Sequence, residues 1–218
     1  MQITHPALWL VTALAPLPAQ ADETAIACNQ AGLTPSVQVV YTDPLVGEDS
    51  SKTLATLKTL SGSSLDRSHH VYGLTHAEPR LDYELKATMF TMPGGKVCMV
   101  PEVLIKAGFT VMQIYLANEL RDSCRKQIVR EHELEHVSAW KTHFRAGTKL
   151  MENPLRQAFS QPRHYDSRNQ AEQELRRWAR DVITPLEQRL MENLASAQRA
   201  IDSPFSYRNV ENRLRSCP

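Results

Sequence analysis

The stretch Arg130-Glu131-His132-Glu133-Leu134-Glu135-His136-Val137 decides how the rest of the chain is read. His132 and His136 are four residues apart, and on an α-helix that spacing puts them one above the other on a single face. Two imidazoles so placed converge on one metal ion. Glu133 then points to the adjacent face, where its carboxylate can polarise a metal-bound water.

The surrounding residues predict that this helix exists. From about Asp122 no Pro or Gly interrupts the chain until Gly147. With His132 at zero on a helical wheel, Ile128, Val129, His136, Ala139 and Trp140 fall within about 80° of it. The histidines therefore belong to the apolar, core-facing stripe and not to a solvated face. After Pro154 and a loop containing Gln161-Pro162-Arg163-His164, a second long helix is predicted from about Ser167 to Asp202, kinked or divided at Pro185. Leu175, Trp178 and Val182 mark its core face, and Leu186, Leu190, Leu194 and Ala197 continue it. Its arginines alternate with Glu and Gln, the pattern of a solvated face and not of a polyanion site.

Upstream the pattern changes from helical to alternating. Ser36–Tyr41 reads as a strand, with β-branched residues and an Asp43-Pro44 stop. Leu54, Leu57 and Leu60 recur at helical spacing within Ser50–Leu60, and 61–68 is a Gly/Ser/Asp loop. Val71–Thr75 and Leu81–Phe90 read as strands, and Met92-Pro93-Gly94-Gly95 as a turn. Val97–Ile105 and Thr110–Leu116 flank Lys106-Ala107-Gly108, which predicts a β-hairpin turning there. The expected fold class is α+β. A mainly β half (22–117) precedes a mainly α half (118–218) that carries the metal-binding helix and a long C-terminal helical hairpin.

The N-terminus and the cysteines point to export. Ala7–Ala15 is a short apolar run, Pro16 and Pro18 break it, and Ala19-Gln20-Ala21 has the small-x-small form of a cleavage site. Residues 1–21 are thus expected to be a signal peptide, too short to span a bilayer. The mature chain from about Asp22 would be one domain, periplasmic or secreted, with no membrane span. Cys28, Cys98, Cys124 and Cys217 all follow the expected cut, an even number without a Cys-x-x-Cys. If the hairpin turns near Ala107, Cys98 lies opposite about residue 116 and Cys124 can fold back onto it. That predicts Cys98–Cys124 and leaves Cys28–Cys217 to tie the chain ends. A net charge of +1 over 218 residues argues against a nucleic-acid partner or an anionic membrane surface.

A catalytic zinc site takes three protein ligands and a water. His143 shares the face of His132 and His136, yet it lies seven residues past His136, about 10 Å along the axis. With Zn–N bonds of about 2.1 Å it is out of reach, and a role beside the site or in structure is expected for it. Candidates elsewhere are Glu174 on the inner face of the second helix, Asp202 at its end, and His164 in the loop. Glu172 falls away from that face. His69, His70 and His76 read as loop and turn residues.

Several of these landmarks together resemble a family of small exported bacterial proteins predicted to be zinc-dependent proteases. They are Val97-Cys98, Ile114-Tyr115-Leu116-Ala117-Asn118-Glu119-Leu120, Ser123-Cys124, His132-Glu133-x-x-His136-Val137, and Ala200-Ile201-Asp202-Ser203-Pro204-Phe205-Ser206-Tyr207. The resemblance covers roughly 70–217 and implies a zincin-like domain with Zn²⁺ as cofactor. In it His132 and His136 would be ligands, Glu133 the general base, and Asp202 the third ligand ahead of Glu174. Tyr207 would be a candidate oxyanion donor. The expected activity is that of an exported zinc metallopeptidase acting on a peptide or protein substrate. The alternative is a non-catalytic, zinc-containing periplasmic binding or envelope-assembly protein.

Overall fold

The computed structural model describes Cys28, residues 32–62 and residues 71–218. The expected signal peptide, His69 and His70 lie outside the described residues. Strands β1 (Ser36–Tyr41) and β2 (Gly47–Asp49) precede helix α1 (Leu54–Leu60). Two long strands, β3 (Gly73–Thr91) and β4 (Val97–Leu116), follow. Helix α2 (Ser123–Ala158), strand β5 (Arg163–Tyr165) and helices α3 (Arg168–Ile201) and α4 (Pro204–Arg215) complete the chain. The mixture is α+β, as expected.

β4 is the spine of the sheet. On one side it pairs antiparallel with β3 along its whole length. On the other it takes β5 antiparallel, then β1 and β2 in parallel. The β3–β4 connection is the Met92–Gly95 turn, where Gly94 and Gly95 adopt φ of 81° and 84°, values that cost a side chain but not glycine. Lys106-Ala107-Gly108 is not a turn, which corrects the expected hairpin. These residues lie mid-strand, with the Ala107 carbonyl accepting from Thr42 N–H (2.9 Å) at the end of β1. The only register shift between β3 and β4 is a bulge: Glu78 pairs with Val111 and Pro79 with Phe109, leaving Thr110 as the extra residue. Pro79 has no N–H to give, and an edge strand opposite a bulge is where that loss is tolerated.

This continuity overturns both predicted disulfides. Eighteen residues of strand put Cys98 and Leu116 at opposite ends of β4, about 60 Å apart along it, so Cys98 cannot meet Cys124. The bonds are Cys28–Cys98 and Cys124–Cys217, with Cα atoms 5.6 and 5.8 Å apart. The first holds an N-terminal residue at the start of β4. The second ties the C-terminal end of α4 to the first turn of α2.

The two long helices cover one face of the ribbon. Asp122 caps α2 by accepting from Cys124 N–H (2.8 Å), and the helix then runs through both Gly147 and Pro154. Gly147 is not a terminator but a point of close approach. A Cβ there would lie 2.3 Å from Leu190 Cδ1 of α3. Pro154 is exposed in the penultimate turn, and Pro185 likewise lies within α3. Phe144, Met151, Leu155, Ile183, Leu190 and Leu194 pack onto Met99, Val103 and Ile105 of β4. A second cluster, with Leu57, Ile114, Leu116, Leu120, Val129 and Val137, lies beneath the first turns of α2. The opposite face of the sheet is polar, with Lys106 paired to Glu84 and Thr110 donating to Glu78 (2.9 Å). Among the described residues no helix is long and apolar enough to cross a membrane.

Candidate metal centre

His132 and His136 are buried on the inner face of α2, as the wheel predicts, each 8% exposed. Their rings stand edge to face with centroids 5.0 Å apart. The residue that joins them is Asp202. It forms the C-cap of α3, and the next residue, Ser203, caps α4 by accepting from Ser206 N–H. A corner this short between two helices fixes where the carboxylate points. Asp202 Oδ1 lies 3.0 Å from His136 Nε2 and 3.5 Å from His132 Nε2. The three ligand atoms all lie within 4.8 Å of one another.

Those distances fit a metal. Ligands about 2.1 Å from a tetrahedral ion are about 3.4 Å from each other, close to the spacings found. Two imidazoles and a carboxylate are a donor set that suits zinc and related first-row ions. Among the described residues no fourth His, Cys, Asp or Glu joins the group, and three protein ligands is the number that a catalytic zinc site takes.

Glu133 is buried and is held by β3. The Thr75 hydroxyl lies 2.9 Å from its Oε2 and 3.0 Å from its backbone carbonyl. Gly73 gives it room, since a Cβ there would sit 2.5 Å from Glu133 Oε1. Burial pushes the Glu133 carboxyl above its usual range, against the opposing pull of His136 and the Thr75 hydrogen bond. Asp202 behaves in the opposite way. Burial pushes it up, but in the metal-free fold the hydrogen bonds from His132 and His136 outweigh that and hold it well below the usual carboxylate range.

Two further residues complete the surroundings. The Tyr207 ring lies 5.9 Å from His132. Burial, the Asp202 charge and a hydrogen bond to Asp202 push its phenol up to about 12, so it stays a hydrogen-bond donor. Gln198, one turn before Asp202, meets His136 Nδ1 with its Oε1 at 2.7 Å. Neither Gln198 nor Thr75 stood out in the sequence. Gln198 could have been found by its i, i+4 relation to Asp202, but nothing local points to Thr75.

The other candidates lie elsewhere. Glu174 is on α3 twenty-eight residues before Asp202, about 42 Å along the axis, and meets Arg177 at 3.5 Å. Glu172 is exposed farther along the same helix. His143 is exposed, not beside the site. His164 pairs with Cys98 at the far end of β4, and His76 meets Glu78 at 3.2 Å on the exposed sheet face. A cleft of about 810 Å³ borders His132 together with Glu135, Ile201, Phe205, Asn209 and Arg213. Positions 133 and 135 are about 200° apart on a helix, so this cleft lies on the flank of α2 away from Glu133. No protein-family model, curated protein or solved structure matches this chain.

Proposed function

We propose that the chain is an exported zinc-dependent peptidase whose metal is held by His132, His136 and Asp202. The observation that carries this reading is a cluster of two histidines and an aspartate that could hold a metal ion, with a buried carboxylate, Glu133, next in sequence to His132. When bound, the ion supplies Lewis acidity to a substrate carbonyl and acidifies a coordinated water. Glu133 takes up the water's proton and delivers it to the leaving amine, a task that suits a carboxylate made more basic by burial. Thr75 fixes one of its oxygens and leaves the other for that transfer. Tyr207 donates to Asp202 and keeps that carboxylate oriented.

A peptide substrate is favoured by the strand that holds Glu133. Among the described residues β3 is paired on one side only, and an unpaired edge accepts an extended chain by main-chain hydrogen bonds. Two disulfides fit folding in an oxidising compartment. The resemblance to small exported proteins predicted to be zinc-dependent proteases points the same way.

The test is Glu133→Gln in the zinc-loaded protein, assayed on a mixed peptide library. Metal should stay bound while hydrolysis is lost, and turnover retained in the variant would overturn the mechanism. A second reading, a non-catalytic zinc-containing binding or envelope-assembly protein, draws on the large cleft behind His132. It predicts zinc in the wild-type protein with no cleavage of any library member.

A further inference from the structure

We propose that Gln198 is the positioning residue of the metal centre, its side-chain amide holding His136 in the tautomer that aims Nε2 at the ion. The inference rests on the metal-binding part of the reading above and does not need the peptidase part.

The amide touches His136 at two points. Gln198 Nε2 donates to the His136 carbonyl (3.4 Å), and Gln198 Oε1 lies 2.7 Å from His136 Nδ1. A carbonyl oxygen only accepts, so the NH₂ end of the amide must face it. The amide oxygen then faces Nδ1, and Nδ1 must carry the hydrogen. In the neutral ring this leaves the lone pair on Nε2, which points at the Asp202 carboxylate 3.0 Å away. Two lone pairs at that distance repel, so either a proton or a metal ion lies between them, and the metal takes the proton's place when it binds.

The arrangement is built into one turn of α3. Asp202 N–H bonds to the Gln198 carbonyl (3.3 Å), so the ligand and the orienting amide share a face of the helix. His132 has no such support, because its Nδ1 is buried without a hydrogen-bond partner. The two ligand imidazoles are therefore unequal: one is aimed in advance, the other is not. The partner is also a neutral amide. It fixes direction without adding negative charge, so two imidazoles and one carboxylate leave a bound divalent ion with a net positive site.

The experiment compares the full-length wild type with Gln198→Leu and Gln198→Glu. Zn²⁺ affinity is read by competition with a chromophoric chelator. The His136 tautomer is read by long-range ¹⁵N NMR on the zinc-loaded protein. Loss of an orienting partner typically weakens metal binding by about 10–100-fold, and that loss is expected for Gln198→Leu. Gln198→Glu, which still accepts from Nδ1–H, should restore wild-type affinity or exceed it. The wild type should show Nδ1–H at His136, and Gln198→Leu a mixture of tautomers. A Gln198→Leu affinity within twofold of wild type, or an Nε2–H tautomer in the wild type, overturns the assignment. Absence of hydrolysis in a protein that shows this affinity pattern removes the peptidase reading and supports the role of Gln198.

Discussion

Replacing Gly73 by Ala tests whether β3 sets the position of Glu133. The added Cβ would lie 2.5 Å from Glu133 Oε1, 2.6 Å from Val129 Cγ1 and 2.8 Å from Glu133 Cγ. Gly73 is not among the glycines with positive φ, so the cost is steric and not one of backbone strain. Two of the three atoms lie close to the α2 backbone and cannot swing away as a chain end does. The strand and helix must part, or Glu133 must leave its place beside Thr75. Overpacking by one methyl costs about 1–3 kcal/mol. In a domain of this size that lowers Tm by roughly 2–12 °C. A displacement of about 1 Å at a catalytic group can cost about 10²-fold in rate, whereas the metal ligands are untouched. The assay is thermal unfolding, zinc titration and kcat on the same preparation. Gly108→Ala is the control, since its nearest atom, Thr42 O, would be 3.5 Å away, an ordinary contact. A Gly73→Ala protein as stable and as active as that control would refute the argument that Glu133 is held by this approach of strand to helix.

Two other outcomes follow from the same geometry. Burial raises the Glu133 pKa in the metal-free fold, so its ionisation opposes folding. A raised folded pKa means stability that is full below the unfolded value of about 4.3 and falls as pH rises through the folded value. Glu133→Gln should therefore stabilise the metal-free protein against urea at pH 8, with the gain vanishing near pH 4; an equal gain at both pH values would contradict this. Helix α4 has no buried residue among Pro204–Arg215, and Cys124–Cys217 closes a separation of 93 residues. Serine at both cysteines should cost about 2–4 kcal/mol and make α4 the first site of limited proteolysis, as mass spectrometry of the fragments would show.

How much of this was legible beforehand follows the range of the interactions. Strand β1, helix α1, the Met92–Gly95 turn and the buried histidine face of α2 depend on residues within a few positions of each other. Periodicity and turn chemistry carry that information. Glycine misled at Gly108 because its local meaning is ambiguous. Gly108 suggested a turn yet lies mid-strand, while Gly147 lies inside α2 and marks contact with Leu190. Whether a glycine bends the chain or admits a neighbour depends on what packs against it.

The sequence by itself determined the pair His132 and His136 and the flanking Glu133, because helical geometry converts a four-residue spacing into a shared face. Asp202 was one of several candidates on its place at a helix end, and only the resemblance of the segment that contains it ranked it ahead of Glu174. That Oδ1 of Asp202 meets both imidazoles was decided by the packing of α3 on α2 across 66 residues of chain. The disulfides, Thr75 and Gln198 belong to the same class. A contact between distant residues is set by strand register and helix packing, and neither is written in any local stretch. Tertiary structure turned a spacing into a cluster of two imidazoles and a carboxylate that could hold a metal ion, with Glu133 held beside it by Thr75.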